Sequence, residues 1–98
     1  MYVGACLVRL SIPGARSLKD KRQVVRSLLD RSRAKFGVSA AEVADNEAWQ
    51  YASLGFSSVS NDHAHAEEVL NAVVPFIENL RPDVEVLSVT MEVSRLDP

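Results

Sequence analysis

One cysteine, two histidines and four glycines in 98 residues leave little material for a catalytic or cofactor motif. Cys6 stands alone, so no disulfide can form within the chain and no paired-cysteine metal or redox motif exists. Set between Ala5 and Leu7 in an apolar stretch, it reads as a buried small hydrophobe. Gly4, Gly14, Gly37 and Gly55 are scattered, and none belongs to a P-loop or a dinucleotide fingerprint. A nucleophile elbow is also missing. His63 and His65 are two residues apart, which on a helix points them about 160° from each other. They cannot share a metal ion from one regular turn, and no third ligand accompanies them. Neither a metal nor a cofactor is therefore expected. Glu42, Asp45 and Glu47 read as solvated turn residues rather than paired catalytic carboxylates. No two groups can be assembled into a cooperating pair, so the chain is expected not to be an enzyme.

Long apolar runs are missing too. No stretch approaches the ~20 residues a membrane span needs. The N-terminus has no basic leader, and Arg9 interrupts its apolar run, so no signal peptide is expected. The expected location is cytoplasmic, away from membranes. The formal charge of −2 and pI of about 5.6 exclude a chain that is basic overall. Any role with a polyanion must come from local polarity.

That polarity is present. Seven of the eleven Lys and Arg lie between Leu18 and Phe36: Lys19, Lys21, Arg22, Arg26, Arg31, Arg33 and Lys35. Only Asp20 and Asp30 oppose them, so this stretch is near +5 and all other residues together near −7. The stretch Ser17 to Gly37 reads as one amphipathic helix. Ser17 can cap it, Asp20 completes a pair resembling a capping box, and Gly37 can end it in a left-handed turn. Leu18, Val25, Leu28, Leu29, Ser32 and Phe36 fall on one arc, the expected buried face. Lys19, Arg22, Arg26 and Arg33 share a flank within about 60°. Three cations near the first turn oppose the helix dipole, and Arg22–Arg26 and Arg31–Lys35 are like-charge pairs four apart. Asp30 is expected to relieve Arg26. Local preferences broken together without local gain mark either a solvated face or a functional one. With Arg16 just ahead of the helix, the candidate nucleic-acid contacts are Arg16, Lys19, Lys21, Arg22, Arg26 and Arg33.

With 47% hydrophobic residues the chain can bury a core, and its length predicts one domain over residues 1–98. Tyr2 to Ile12 alternates as a strand with Cys6, Val8, Leu10 and Ile12 on the core face. Val38 to Ala44 and Gln50 to Ser60 predict a second and third strand around an acidic turn, Asp45-Asn46-Glu47. Gly55 marks a bulge or a close backbone approach. A second helix starts at Asn61 or Asp62 and runs to about Leu80, with Pro75 expected to kink or shorten it. Val84 to Leu96 forms the last strand, with Leu87, Val89, Met91 and Val93 on one face and Val86, Ser88 and Thr90 on the other. This β-α-β-β-α-β order has a favoured solution with right-handed crossovers. It is the α+β ferredoxin-like βαββαβ sandwich: a four-stranded antiparallel sheet in the order 4-1-3-2, with two helices on one face.

The other sheet face, with Val3, Ala5, Leu7, Arg9 and Tyr51, is apolar enough that a homodimer covering part of it is expected. RNA-recognition domains of this topology stack bases on aromatics of the central strands. With three Phe, two Tyr and one Trp in the whole chain, the third strand YASLGFSSVS lacks that set, so RNA contacts are expected to go to phosphates. Trp49, beside the acidic turn, is either a lid on the end of the core or an interface anchor.

The N-terminal YVG strand, SLKDKR at the helix start, VSAAEV, Trp49-Gln50, LGF and VSND together resemble the YlxP-like family of small bacterial proteins of unknown function. SLKDKR is the most specific of these pieces, and the resemblance spans nearly the whole chain. It implies a ferredoxin-like fold. Members are usually encoded beside a translation initiation factor and a ribosome-binding factor, which implies by association a role near ribosomes or RNA. The family offers no catalytic residues to transfer. Pro75 departs from the pattern expected of relatives. The resulting expectation is a non-enzymatic accessory protein that contacts RNA or the ribosome through its basic first helix. The alternatives are a protein–protein interaction module and a small-ligand-sensing homodimer.

Overall fold

The computed structural model describes residues 1–98. Six elements follow one another: β1 (Tyr2–Ser11), α1 (Leu18–Phe36), β2 (Ser39–Ala44), β3 (Tyr51–Ser60), α2 (His63–Leu80) and β4 (Glu85–Arg95). The sheet runs β2-β3-β1-β4 with every neighbouring pair antiparallel, and both helices lie over one face. This is the expected strand order read from the opposite edge.

Alternation in β1 builds the core. Cys6, Val8, Leu10 and Ile12 are buried under the helices, where Leu28 and Leu29 of α1 and Leu70, Val73 and Ile77 of α2 meet them. Ala52, Leu54 and Phe56 complete the layer from β3. Gly4 allows α2 to approach β1 closely: a Cβ there would lie 2.6 Å from Leu70 Cδ1.

The helix ends follow their capping residues. Ser17 Oγ accepts from the Asp20 amide at 3.1 Å. The Asp20 carboxylate reaches back to the Arg16 amide at 3.0 Å, one residue before the expected cap. Gly37 closes α1 at φ 65°, its N–H bonded to the Arg33 carbonyl. Asp62 caps α2 through the Ala64 and His65 amides. Pro75 does not shorten α2, which continues through Leu80. Its ring lies on the exposed side, and the carbonyl it leaves without a helical donor belongs to Asn71, an exposed residue.

Both edge strands differ from simple alternation. The β2–β3 register shifts between Glu42 and Ala44, and the β1–β4 register shifts between Arg9 and Leu10. In β4, Leu10 pairs with Val86 and Arg9 with Ser88, so Leu87 is the extra residue. Val86 therefore turns to the core side while Leu87 is exposed, contrary to the strict period-two reading of that strand. In β2 the extra residue is Val43, whose Cγ1 would be 3.0 Å from a Cβ on Gly55. Gly55 is thus a close approach, and the bulge sits on its partner strand.

Candidate functional site

The basic helix divides into cations the fold consumes and cations it leaves free. Lys21 is consumed. Its side chain is 0% exposed. Nζ donates to the backbone carbonyls of Asp45 at 2.7 Å, Tyr51 at 3.2 Å and Asn46 at 3.3 Å. Glu42 Oε2 lies 2.9 Å away on the neighbouring strand. Four oxygens compete for three ammonium hydrogens, and the Glu42 contact is an ion pair without the alignment of a hydrogen bond. Lys21 is therefore an internal strut beneath the β2–β3 turn, and its place among the candidate nucleic-acid contacts is corrected. The reason is geometric. At 100° per residue Lys21 falls inside the apolar arc of α1, between Leu28 and Ser32. Both of those residues are buried.

Glu42 changes meaning with it. Alternation in β2 sends Ala41 outward and turns Glu42 toward the helices, so Glu42 is a buried counterion and not a solvated turn residue. Asp45 is likewise built in. It holds the left-handed conformation, φ 61°, that lets the chain reverse. Its carboxylate accepts from Ser53 Oγ at 2.6 Å and lies 3.7 Å from Arg9 Nε. The Arg9 guanidinium sits 5.4 Å from the centre of the Tyr51 ring.

Arg33 is also tied into the fold. It pairs with Asp30 at 3.0 Å and donates to the carbonyl of Ala40 at the start of β2. Asp30 thus serves Arg33 and not Arg26. Arg31 and Lys35 stay free on the opposite flank, and of the candidate contacts Arg16, Lys19, Arg22 and Arg26 remain. All four side chains are exposed, and none forms an ion pair or a side-chain hydrogen bond. From Lys19 to Arg26 the helix rises about 10 Å, so these cations form a short exposed ridge along one flank of the helix.

Trp49 does not lid the core. It is 54% exposed in the β2–β3 turn. That turn is fixed by the Lys21 contacts, by Gln50 Nε2 donating to the Ala15 carbonyl at 3.3 Å, and by Ile12 donating to the Gln50 carbonyl at 2.8 Å. These bonds bring the turn alongside Ala15 and Arg16 at the start of the ridge. Sequence reasoning found the ridge from charge and missed the strut, although the position of Lys21 within the apolar arc carried the signal.

The remaining titratable groups lie apart from the ridge. His63 Nδ1 lies 3.6 Å from Glu67 and its ring packs edge-on against Tyr2. No cluster of three His, Cys, Asp or Glu side chains could hold a metal ion. Burial pushes the Cys6 thiol above its ordinary pKa, which disfavours the nucleophilic thiolate. At the α2–β4 turn, the two-pronged hydrogen bond from Arg81 holds the Asp83 carboxyl below the usual carboxylate range. No helix is long and apolar enough to cross a membrane.

The fold is shared with a de novo designed protein described as having a ferredoxin fold (TM-score 0.60, 13% identity), covering 98% of this chain and 88% of that one. It is also shared with a C-terminal segment of the alpha subunit of aIF2 from Pyrococcus abyssi (TM-score 0.50, 13% identity), covering 99% of this chain and 51% of that one. By sequence, the chain is 38% identical over 71 residues to the uncharacterized protein YlxP of Bacillus subtilis (strain 168), covering 72% of this chain and 76% of that one. The family model described as protein of unknown function (DUF503) matches residues 3–91. The protein with the buried Lys21 strut and the free cationic ridge therefore belongs to the DUF503 family, to which YlxP-like proteins correspond.

Proposed function

We propose that the protein is a cytoplasmic, non-enzymatic accessory factor that contacts RNA, on or near the ribosome, through the ridge of Arg16, Lys19, Arg22 and Arg26. One observation carries this reading. Four cations remain exposed and unpaired along one flank of the helix on a chain of net charge −2, while the same fold gives Lys21 and Arg33 internal partners. A helix that gained only solubility from its charge would need no such concentration on one flank. The ridge supplies phosphate contacts, which position a nucleic acid without reading its sequence.

Neutralising about four phosphates of a single strand gives a slope near −3 in log affinity against log salt. Between about 50 and 200 mM salt, affinity then falls roughly 60-fold. Fluorescence anisotropy with a labelled single-stranded RNA of mixed sequence measures both quantities. The charge reversal Arg22→Glu/Arg26→Glu is expected to abolish measurable binding without changing the thermal midpoint. Binding indifferent to salt, or unchanged in that variant, refutes the reading. Association with cell components that survives nuclease treatment points instead to an acidic protein partner.

A further inference from the structure

The open sheet face, opposite the helices, is the other surface that the fold leaves uncovered. We propose that it joins a second copy of this chain, the two sheets stacking face to face with their strands antiparallel about a two-fold axis.

Edge pairing is the competing way for such a sheet to associate, and bulges interrupt both edge strands, β2 and β4. The face itself carries relief. A concavity of about 480 Å³ lies over Ala41, Gly55 and Ser57, residues too small to fill it. Leu7, 45% exposed, stands at its border. A projection and a hollow on one surface are what a two-fold interface requires, because the same patch must supply both halves of each contact.

Charge selects the direction of stacking. Arg9 lies toward one end of the face, and Glu92, paired across from Ala5, toward the other. Glu92 forms no ion pair within its own chain. A two-fold axis level with Leu7 reverses the strands and brings the Arg9 of one copy to the level of Ala5 in the other. There it is one strand spacing, about 4.8 Å, from Glu92, across sheets about 10 Å apart. Two long side chains span that gap. Stacking with the strands parallel would instead set Arg9 against Arg9. Arg9 is already steadied over Tyr51 and beside Asp45.

The size is adequate. Three strands of ten or eleven residues and the six of β2, about 4.8 Å apart with about 3.3 Å per residue, give a footprint of roughly 580 Å². With its relief counted, that approaches the ~800 Å² per partner of a standard interface. The dimer would carry the two α1 ridges on its outer surfaces.

Sedimentation velocity across a concentration series tests the proposal. The expected result is a monomer–dimer equilibrium that Glu92→Arg weakens by at least about tenfold. Arg9→Glu weakens it similarly, and the double exchange Arg9→Glu/Glu92→Arg recovers most of the loss. Arg9→Glu places a second carboxylate beside Asp45. Should that variant fail to fold, Glu92→Arg and Leu7→Asp, both away from Asp45, carry the decision, and each weakens the dimer. A monomer at every concentration overturns the proposal. So does a dimer that neither Glu92→Arg nor Leu7→Asp weakens.

Discussion

Replacing Lys21 by methionine removes one charge from the interior and keeps most of the side-chain volume. The Glu42 carboxylate, 2.9 Å from Nζ, is left buried without a counterion. Three carbonyls, those of Asp45, Asn46 and Tyr51, lose a donor. Removing one member of a buried ion pair costs about 3–5 kcal/mol. The turn residues Asp45 and Asn46 are exposed, so water can partly replace the lost donor there, which places the total toward the lower end. A loss of about 3–4 kcal/mol consumes a large part of the ~5–15 kcal/mol that holds a domain folded. It lowers the thermal midpoint by about 15–25 °C in a chain of this size. Urea unfolding followed by circular dichroism measures the loss, and the fluorescence of Trp49, in the turn that Lys21 supports, reports the same transition locally. Arg22→Met is the control. It exchanges the exposed neighbour and should stay within about 0.5 kcal/mol of the parent. Adding Glu42→Leu to Lys21→Met should recover part of the loss, because it removes the stranded charge while the carbonyls stay unsatisfied. A loss below about 1 kcal/mol for Lys21→Met would refute the strut.

Two further outcomes follow from the core and from α2. The Cys6 thiol ionises less readily in the folded chain than in the unfolded one. Its contribution to stability is therefore complete below the ordinary thiol pKa and declines as pH rises above it, because the unfolded chain sheds that proton first. Alkylation at neutral pH should label Cys6 only under denaturing conditions; rapid labelling of the native protein would contradict its burial. Pro75→Ala restores a donor to the Asn71 carbonyl and removes a poor helix residue from the exposed side of α2, so stability should rise by about 2 kcal/mol. No change in the urea midpoint would show that α2 already accommodates the ring without cost.

The strand–helix order was legible because it depends on coarse features: alternation in β1 and β3, a cap at Ser17 and a terminator at Gly37. What escaped depends on single-residue displacements and on partners distant in sequence. A bulge moves Val86 to the core and Leu87 outward, and nothing in the period of β4 announces it. Lys21 falls where an apolar residue belongs, and only the carboxylate of Glu42 and the carbonyls of a turn 24–30 residues away make that place habitable. Residue type argued for exposure while angle argued for burial, and the angle prevailed because its partners were supplied. Trp49 was ambiguous for the opposite reason: the turn that presents it outward is shaped by Asp45 and anchored by Lys21, neither of which local pattern could reveal.

Within SLKDKR, the roles are therefore divided. Ser17 and Asp20 start the helix, Lys21 secures the opposite hairpin, and Lys19 and Arg22 face outward unpaired. One short motif thus holds the fold together on its inner side and offers charge on its outer side.

Co-sedimentation of the protein with ribosomes, at low and at high salt, tests the ridge most directly. The parent chain should pellet with ribosomes at about 50 mM salt and be released by about 200 mM, while Arg22→Glu/Arg26→Glu stays in the supernatant at both. Equal pelleting of the parent and the reversed-charge variant would contradict a polyanion contact through Arg16, Lys19, Arg22 and Arg26.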